Sequence, residues 1–159
     1  MKKYSLTSNK IEVLGTTLFQ IKAEMSFGSV SKGDLGGYIE KESNLSMEGN
    51  AWVYGNAQVS GDARVYGNAR VYGDSICKVL SPINIVGMHW NITLTDNNIH
   101  IGCKTFQLKK ALSLASRWKT TSLKYDEAKL IESEKKLLVE VIRLRLFQLE
   151  NEKYKGVKQ

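Results

Sequence analysis

Two histidines and two cysteines are the residues of this chain with the widest chemical range. Cys77, His89, His100 and Cys103 together have the ligand types of a tetrahedral zinc site. Their spacing does not favour one, because a long stretch of chain separates Cys77 from His89. In addition, His100 and Cys103 lie in or just after a predicted strand, where residues three apart face opposite sides. We therefore predict buried packing roles for these side chains, with no metal and no cofactor.

Motifs of the common enzyme classes do not occur in the sequence. There is no glycine-rich phosphate loop, no paired metalloprotease histidines and no serine nucleophile elbow. Gly33, Gly36 and Gly37 are spaced wrongly for a dinucleotide-binding turn. The sequence predicts no catalytic residue, which favours a protein that acts by binding.

Positive charge is concentrated between residues 83 and 125. The formal net charge of the chain is +7, and in this segment Asp96 is the single acidic residue. Such a segment attracts phosphates or an acidic protein surface. We predict that it contacts a partner through Lys104, Lys109, Lys110, Arg117, Lys119 and Lys124.

A six-residue repeat runs without a gap through residues 47–76 and reads MEGNAW, VYGNAQ, VSGDAR, VYGNAR, VYGDSI. Its third position is always glycine and its fourth is Asn or Asp, the residue types that suit left-handed corners. The first position is an aliphatic side chain, and the fifth is Ala or Ser. Each hexad therefore predicts a short strand followed by a corner, with stacked strands sharing one core. Weaker hexads extend the register upstream to Leu35 and downstream to Ser81.

The hexads resemble those of left-handed parallel β-helix proteins, in which three hexads form one triangular coil. Together with DLGGYIE at residues 34–40 and IHIGC at residues 99–103, the chain is similar to a family of phage and prophage hexapeptide-repeat proteins. That resemblance implies the fold and an origin in a mobile element, because most members have no assigned activity. Many small phage proteins of this kind act against host defence.

Three hexads per coil would make positions that are three hexads apart neighbours on one face. Val53 would lie on Val71, Tyr54 on Tyr72, and Trp52 on Arg70. The resulting candidate face consists of Trp52, Tyr54, Arg64, Tyr66, Arg70 and Tyr72. Its outward tyrosines either cover and stiffen the wall or form a recognition surface, since exposed aromatic residues with arginine are enriched at interfaces.

Different patterns flank the repeat segment, residues 35–82. Residues 1–34 alternate around Leu14-Gly15 and predict a β-hairpin cap, and residues 83–104 predict a second capping hairpin around Asp96-Asn97-Asn98. Residues 105–159 have a helical period and predict two helices. The predicted fold is one compact domain, mainly β with C-terminal α.

The longer predicted helix, which begins at Asp126, has a wide apolar stripe. This stripe packs either on the repeat segment or on a second copy of the chain, and the short predicted solenoid offers little surface for so long a helix. We therefore favour a homodimer. The candidate oligomerisation residues are Leu130, Leu137, Leu138, Val141 and Leu144.

These features predict a non-enzymatic protein that inhibits a host factor by occupying its surface. The expected host factor is a defence complex such as a CRISPR effector ribonucleoprotein, with nucleic-acid contact through the basic segment. One alternative is sequestration of a small anionic ligand, such as a nucleotide signal. Another is an acyltransferase, the best-known activity of hexapeptide β-helices, which needs a histidine beside the coils. The hexads contain none, so His89 or His100 would have to serve.

No signal-peptide pattern or long apolar run occurs, which predicts the bacterial host's cytoplasm and no membrane contact.

Overall fold

The computed structural model describes residues 2–86, 88, 91–101, 104–115 and 125–155. Its elements combine strands with two C-terminal helices, so the fold is mainly β with C-terminal α. In chain order they are β1 (Tyr4–Val13), β2 (Thr16–Ala23), β3 (Leu35–Ile39), a 3-10 turn (Glu42–Asn44), β4 (Trp52–Val53), β5 (Gln58–Val59), β6 (Arg70–Val71), β7 (Ile76–Cys77), β8 (Ile83–Ile85), β9 (Ile92–Leu94), β10 (Asn98–Ile101), β11 (Lys104–Gln107), α1 (Leu108–Ala115) and α2 (Tyr125–Lys155).

The N-terminal hairpin forms where the alternation predicts it. β1 and β2 pair antiparallel, with Val13 opposite Thr16 at the turn. Leu14 and Gly15 both have positive φ, 49° and 79°, which gives the turn the twist that two-residue hairpins favour. β2 then pairs antiparallel with β3, so the hairpin extends directly from the repeat segment.

Side chains of β1 and the residue before it attach this hairpin to the first repeats. The buried Lys3 ammonium donates to the Ala51 carbonyl at 3.0 Å and lies 4.9 Å from the centre of the Phe27 ring. Tyr4 is fully buried, and its hydroxyl lies 2.8 Å from the Leu45 carbonyl. The hairpin therefore covers one end of the repeat core.

Within the hexads, strands stack in parallel at the predicted spacing of three hexads. Trp52 pairs with Arg70 and Val53 with Val71 in β4 and β6. β5 and β7 repeat the spacing on a second side, where Val59 pairs with Cys77. The valines and alanines of the hexads are buried in one common cluster. The predicted register is confirmed for these pairs.

Glycine is required at the hexad corners for two separate reasons. The corner glycines have φ between 59° and 67°, a range that L side chains rarely adopt. At Gly49 the stacking is also close, because a Cβ atom there would lie 2.6 Å from the Gly67 carbonyl oxygen. At Gly67 itself, a Cβ atom would meet nothing within 4 Å.

Upstream of residue 49, the extension of the hexad register is wrong. Ile39 pairs with Val59 and Leu45 bridges to Val65, so the spacing there exceeds three hexads by two positions. Leu35, predicted to point inward, is 60% exposed. The physical reason is that the corner at Asn44 differs from the glycine corners of the hexads. Buried Asn44 accepts a hydrogen bond from the Lys41 amide and donates to two carbonyls of the next coil. Two extra residues follow Asn44, and they shift the register by two positions.

A second layer is formed by an antiparallel sheet in the order β11-β10-β9-β8, with α1 and α2 packed on it. β9 and β10 pair with Ile99 opposite Leu94, as the alternation predicts. The period of residues 105–107 predicts helix, but these residues belong to β11 because they pair with β10. This layer has its own core, which includes Leu94, Ile99, Leu108, Leu138 and Ile142.

No helix in the described ranges is both long enough and apolar enough to cross a membrane.

Candidate functional site

Two tyrosines form a stacked pair on the outside of the repeat segment. The rings of Tyr54 and Tyr72 lie 4.5 Å apart at an interplanar angle of 13°. This follows from the hexads, because both residues occupy the second position and are three hexads apart. Tyr54 and Tyr72 are each half-buried, and the Tyr54 hydroxyl lies 3.2 Å from Ser29 Oγ.

Arg70 lies beside this pair and completes what we call the tyrosine surface, namely Tyr54, Arg70 and Tyr72. A side-chain hydrogen bond with Tyr72 raises the pKa of Arg70, while burial raises the pKa of Tyr54 above its usual value. The surface thus combines two phenol side chains with one cation. Such a group can stack on flat or aliphatic side chains and donate to carboxylates.

Three other residues predicted for this face are placed elsewhere. Trp52 is only 1% exposed, with edge contacts to Tyr4 at 6.2 Å and Phe27 at 5.4 Å. Its predicted role in surface binding is corrected to a core role, because the N-terminal hairpin and Phe27 cover it. Tyr66 is 61% exposed and lines a cavity described below. Arg64 is exposed, and its amide donates to Ser81 Oγ.

His100 is a buried link between the two layers. Its Nε2 lies 2.8 Å from Ser75 Oγ and its Nδ1 lies 2.9 Å from Thr105 Oγ1, so both ring nitrogens are engaged. Asn98 donates to the same Ser75 oxygen at 3.2 Å. Burial lowers the pKa of His100 to about 4, which keeps the imidazole neutral at pH 7. The ring edge contacts Tyr72 at 5.5 Å, which supports the tyrosine surface from behind.

Part of the zinc hypothesis lies outside the described residues, namely His89 and Cys103. Cys77 is fully buried in the repeat core, and burial raises the pKa of its thiol. Within the described ranges, no three His, Cys, Asp or Glu side chains are grouped as metal ligands. Cys77 therefore packs as a small apolar side chain.

The predicted basic segment is only partly described. Lys104 at the start of β11 and Lys109 and Lys110 of α1 are exposed. Arg117, Lys119 and Lys124 lie outside the described residues. All three described lysines thus lie on elements of the second layer, with their side chains in solvent.

The predicted oligomerisation residues of α2 divide between two faces. Leu138 is 3% exposed and belongs to the core of the second layer, and Val141 packs partly against it. Leu137 and Leu144 are 53% and 50% exposed, and Phe147, which the stripe did not include, is 62% exposed. The side chain of Leu130 lies outside the described set. Packing on its own chain therefore accounts for one face of the helix, while the other face is not covered by any described part of the chain.

Arg145 was not predicted as a functional residue. It is 1% exposed, although an arginine in a charged helix usually lies in solvent. Its Nε donates to the Thr95 carbonyl at 3.3 Å, and its Nη2 donates to the carbonyls of Leu94 at 3.2 Å and Ser81 at 2.5 Å. No sequence signal distinguishes Arg145 from exposed Arg143, because its partners are backbone carbonyls from 50 or more residues upstream.

Parallel strand pairs at a fixed spacing, with a glycine corner in each hexad, are typical of β-solenoid repeats. Residues 57–73 and 63–77 match a family model described as the YdcK beta-solenoid repeat. These two short, overlapping matches support a repeat of the β-solenoid kind in this segment. No curated protein matches the chain.

Proposed function

We propose that this chain is a non-enzymatic binding protein that inhibits a host factor by occupying its surface. The observation that carries the proposal is the tyrosine surface, where Tyr54 and Tyr72 stack at 4.5 Å beside Arg70. Tyrosine and arginine are enriched among the residues that dominate binding energy at interfaces.

The rigidity of this surface strengthens the argument. Tyr72 is held between the Tyr54 ring and the edge of buried His100, and Ser29 contacts the Tyr54 hydroxyl. Side chains that are already ordered lose little conformational entropy when a partner binds. The side chains of the tyrosine surface are therefore ordered before a partner binds, which favours a binding role in addition to covering the wall of the repeat.

Exposed Lys104, Lys109 and Lys110 extend the proposal to the charge of the partner. Exposed lysines accelerate the approach of an acidic or phosphate-rich surface without fixing its final orientation. A ribonucleoprotein offers both kinds of group. We accordingly propose a defence complex such as a CRISPR effector as the target, encountered in the host cytoplasm by a phage-type protein.

The finer description of the fold belongs to the same proposal. The stacking of strands three hexads apart supports three hexads per coil, and the resemblance to hexapeptide-repeat proteins supports a left-handed coil. A crystal structure tests both the handedness and the number of sides.

The partner test compares two arginines at the same hexad position. A tagged chain is used to capture complexes from a bacterial host, with and without nuclease, and the captured partner is then purified for affinity measurement. We expect Arg70→Glu to weaken its binding at least about tenfold, while Arg64→Glu leaves it unchanged because Arg64 lies outside the tyrosine surface. Equal effects of the two variants, or no effect of Arg70→Glu, would reject this surface as the binding site.

A homodimer through the exposed face of α2 is part of the proposal as well. Leu137, Leu144 and Phe147 lie on that face at spacings of seven and three residues, close to the repeat of helix pairs. Light scattering after gel filtration tests it. We expect the wild type to be dimeric, Leu144→Glu monomeric, and Leu35→Glu, which changes another exposed leucine, still dimeric. A monomeric wild type at micromolar concentration would remove this part of the proposal.

The acyltransferase alternative has less support. His100 is buried with both ring nitrogens hydrogen-bonded, whereas a general base must reach the acceptor's proton. Turnover of acetyl-CoA by the unmodified chain, together with its loss in His89→Ala or His100→Ala, would favour the acyltransferase instead.

A further inference from the structure

A cavity of about 430 Å³ lies between the repeat segment and α2. One wall is the corner of the fourth hexad, from Tyr66 to Ala69, and a second is the chain from Leu80 to Asn84. Arg145 and Gln148 of α2 complete it. Its volume falls within the range of small-molecule sites.

The charge of Arg145 is held in this wall without an ion pair. In the described part of the chain, no carboxylate oxygen lies within 4.0 Å of its guanidinium. Asp96 acts on it only at longer range and opposes the fall in the pKa of Arg145 that burial causes. A buried cation without a close counter-charge is costly, and a bound anion would lower that cost.

The carbonyl contacts of Arg145 fix which nitrogen can bind an anion. Nε and Nη2 are occupied by the carbonyls of Thr95, Leu94 and Ser81. No described residue accepts a hydrogen bond from Nη1, whose two N–H groups are left for a ligand oxygen. The three carbonyls also hold the side chain in one orientation, so the guanidinium is ordered before any ligand arrives.

The Gln148 side chain in the same wall has a polar atom without a partner. The Oε1 atom of Gln148 is buried and accepts no hydrogen bond in the described structure. Buried polar atoms are nearly always paired in native proteins, so this oxygen calls for an N–H or O–H donor. Another lining residue, the largely exposed Tyr66, offers a flat ring on which a planar ring can stack.

We propose that this cavity binds a small phosphate-carrying molecule of the nucleotide class. The phosphate accepts from Arg145 Nη1, a hydroxyl or amino group of the ligand donates to Gln148 Oε1, and the base lies against Tyr66. The site is distinct from the tyrosine surface and does not depend on the protein partner.

The test uses isothermal titration of the full chain with AMP, GMP, CMP and UMP, and with inorganic phosphate and adenosine as partial probes. We expect at least one nucleotide to bind with a submillimolar Kd, with phosphate or adenosine alone at least about tenfold weaker. No binding by any of the four nucleotides at millimolar concentration would overturn the proposal.

Gln148→Glu is the decisive variant, because it places a carboxylate beside Arg145. That carboxylate competes for Nη1 and repels phosphate, while a new ion pair preserves the hold on α2. We expect nucleotide affinity to fall at least about tenfold. Gln107→Glu, at an exposed position of β11, adds the same charge and should change little. Unchanged binding in Gln148→Glu, or equal loss in both variants, would contradict the assignment.

Tyr66→Ala separates this site from the proposed partner surface. We expect it to weaken nucleotide binding and leave protein-partner binding intact, whereas Arg70→Glu should do the reverse. The two proposals can therefore fail independently. Loss of nucleotide binding in Arg70→Glu with retention in Tyr66→Ala would place the ligand elsewhere.

Discussion

The two layers of this protein reach buried cores by different routes. In the repeat segment, each hexad supplies its own valine, alanine and corner, and stacked neighbours are three hexads apart. In the second layer, the sheet of β8–β11 packs on helices through contacts such as Arg145 with Leu94 of β9, which are 51 residues apart. The first core therefore follows from a short repeated sequence pattern, while the second core forms only when segments far apart in the sequence pack together.

The junction between the layers shows how the repeat ends. The last strand of a stacked segment leaves backbone groups that another coil would pair. Here the turn after β9 takes that role: Asn97 Oδ1 accepts from the Ile76 amide, and Asp96 Oδ2 accepts from the amides of Lys78 and Val79, all at 2.8 Å. Side chains of a turn thus replace the next coil.

The largest expected effect tests the local rule of the repeat core. Gly49→Ala places an alanine on a left-handed backbone and brings its Cβ atom against the Gly67 carbonyl. We therefore expect it to lower the free energy of unfolding by about 3 to 4 kcal/mol. Gly67→Ala has the same strained φ but open space, so a loss of about 1 kcal/mol is expected. Urea unfolding of both variants measures the difference, and equal losses would mean that close stacking adds nothing.

A second prediction tests the long-range link of the other layer. Arg145→Met leaves two buried carbonyls and one part-buried carbonyl without their donor, so we expect a loss of about 3 kcal/mol, with faster amide exchange in α2. Arg143→Met is the matched control, because its ion pair with Glu140 is exposed and contributes at most about 0.5 kcal/mol. Similar stability of the two variants would show that Arg145 does not hold α2 on the sheet.

The smallest expected effect is a pH dependence at the junction. The pKa of His100 is about 4 in the folded chain against 6.5 when unfolded, so the unfolded state takes up a proton first as the pH falls. The contribution of neutral His100 to the free energy of unfolding is fully present above pH 6.5. It falls by roughly 2 kcal/mol towards pH 4, where the 2 kcal/mol already includes a reduction for solvent screening.

Urea unfolding at pH 7 and pH 4.5 measures this decrease, and His100→Gln provides the comparison, since it cannot take up the proton. We expect the variant to lose less stability than the wild type between the two pH values. An identical decrease in both proteins would assign the pH dependence to carboxylates instead of His100.

Sequence periodicity predicted the elements that depend on neighbours along the chain. The hairpin around Leu14-Gly15, the corner glycines and the stacking of Tyr54 on Tyr72 all follow from residue type and spacing. The errors arise where another element intervenes. Trp52 is buried because the hairpin covers it, and Leu35 is exposed because Asn44 shifts the register by two residues.

The candidate sites divide in the same way. The sequence determined the repeat, its corners and the pairing of tyrosines, because these need only a fixed period and the conformational freedom of glycine. The tertiary structure alone decided that Tyr66 lines a cavity with Arg145 and Gln148. Burying the Arg145 charge requires carbonyls from distant segments to converge on it, and no local pattern encodes that convergence.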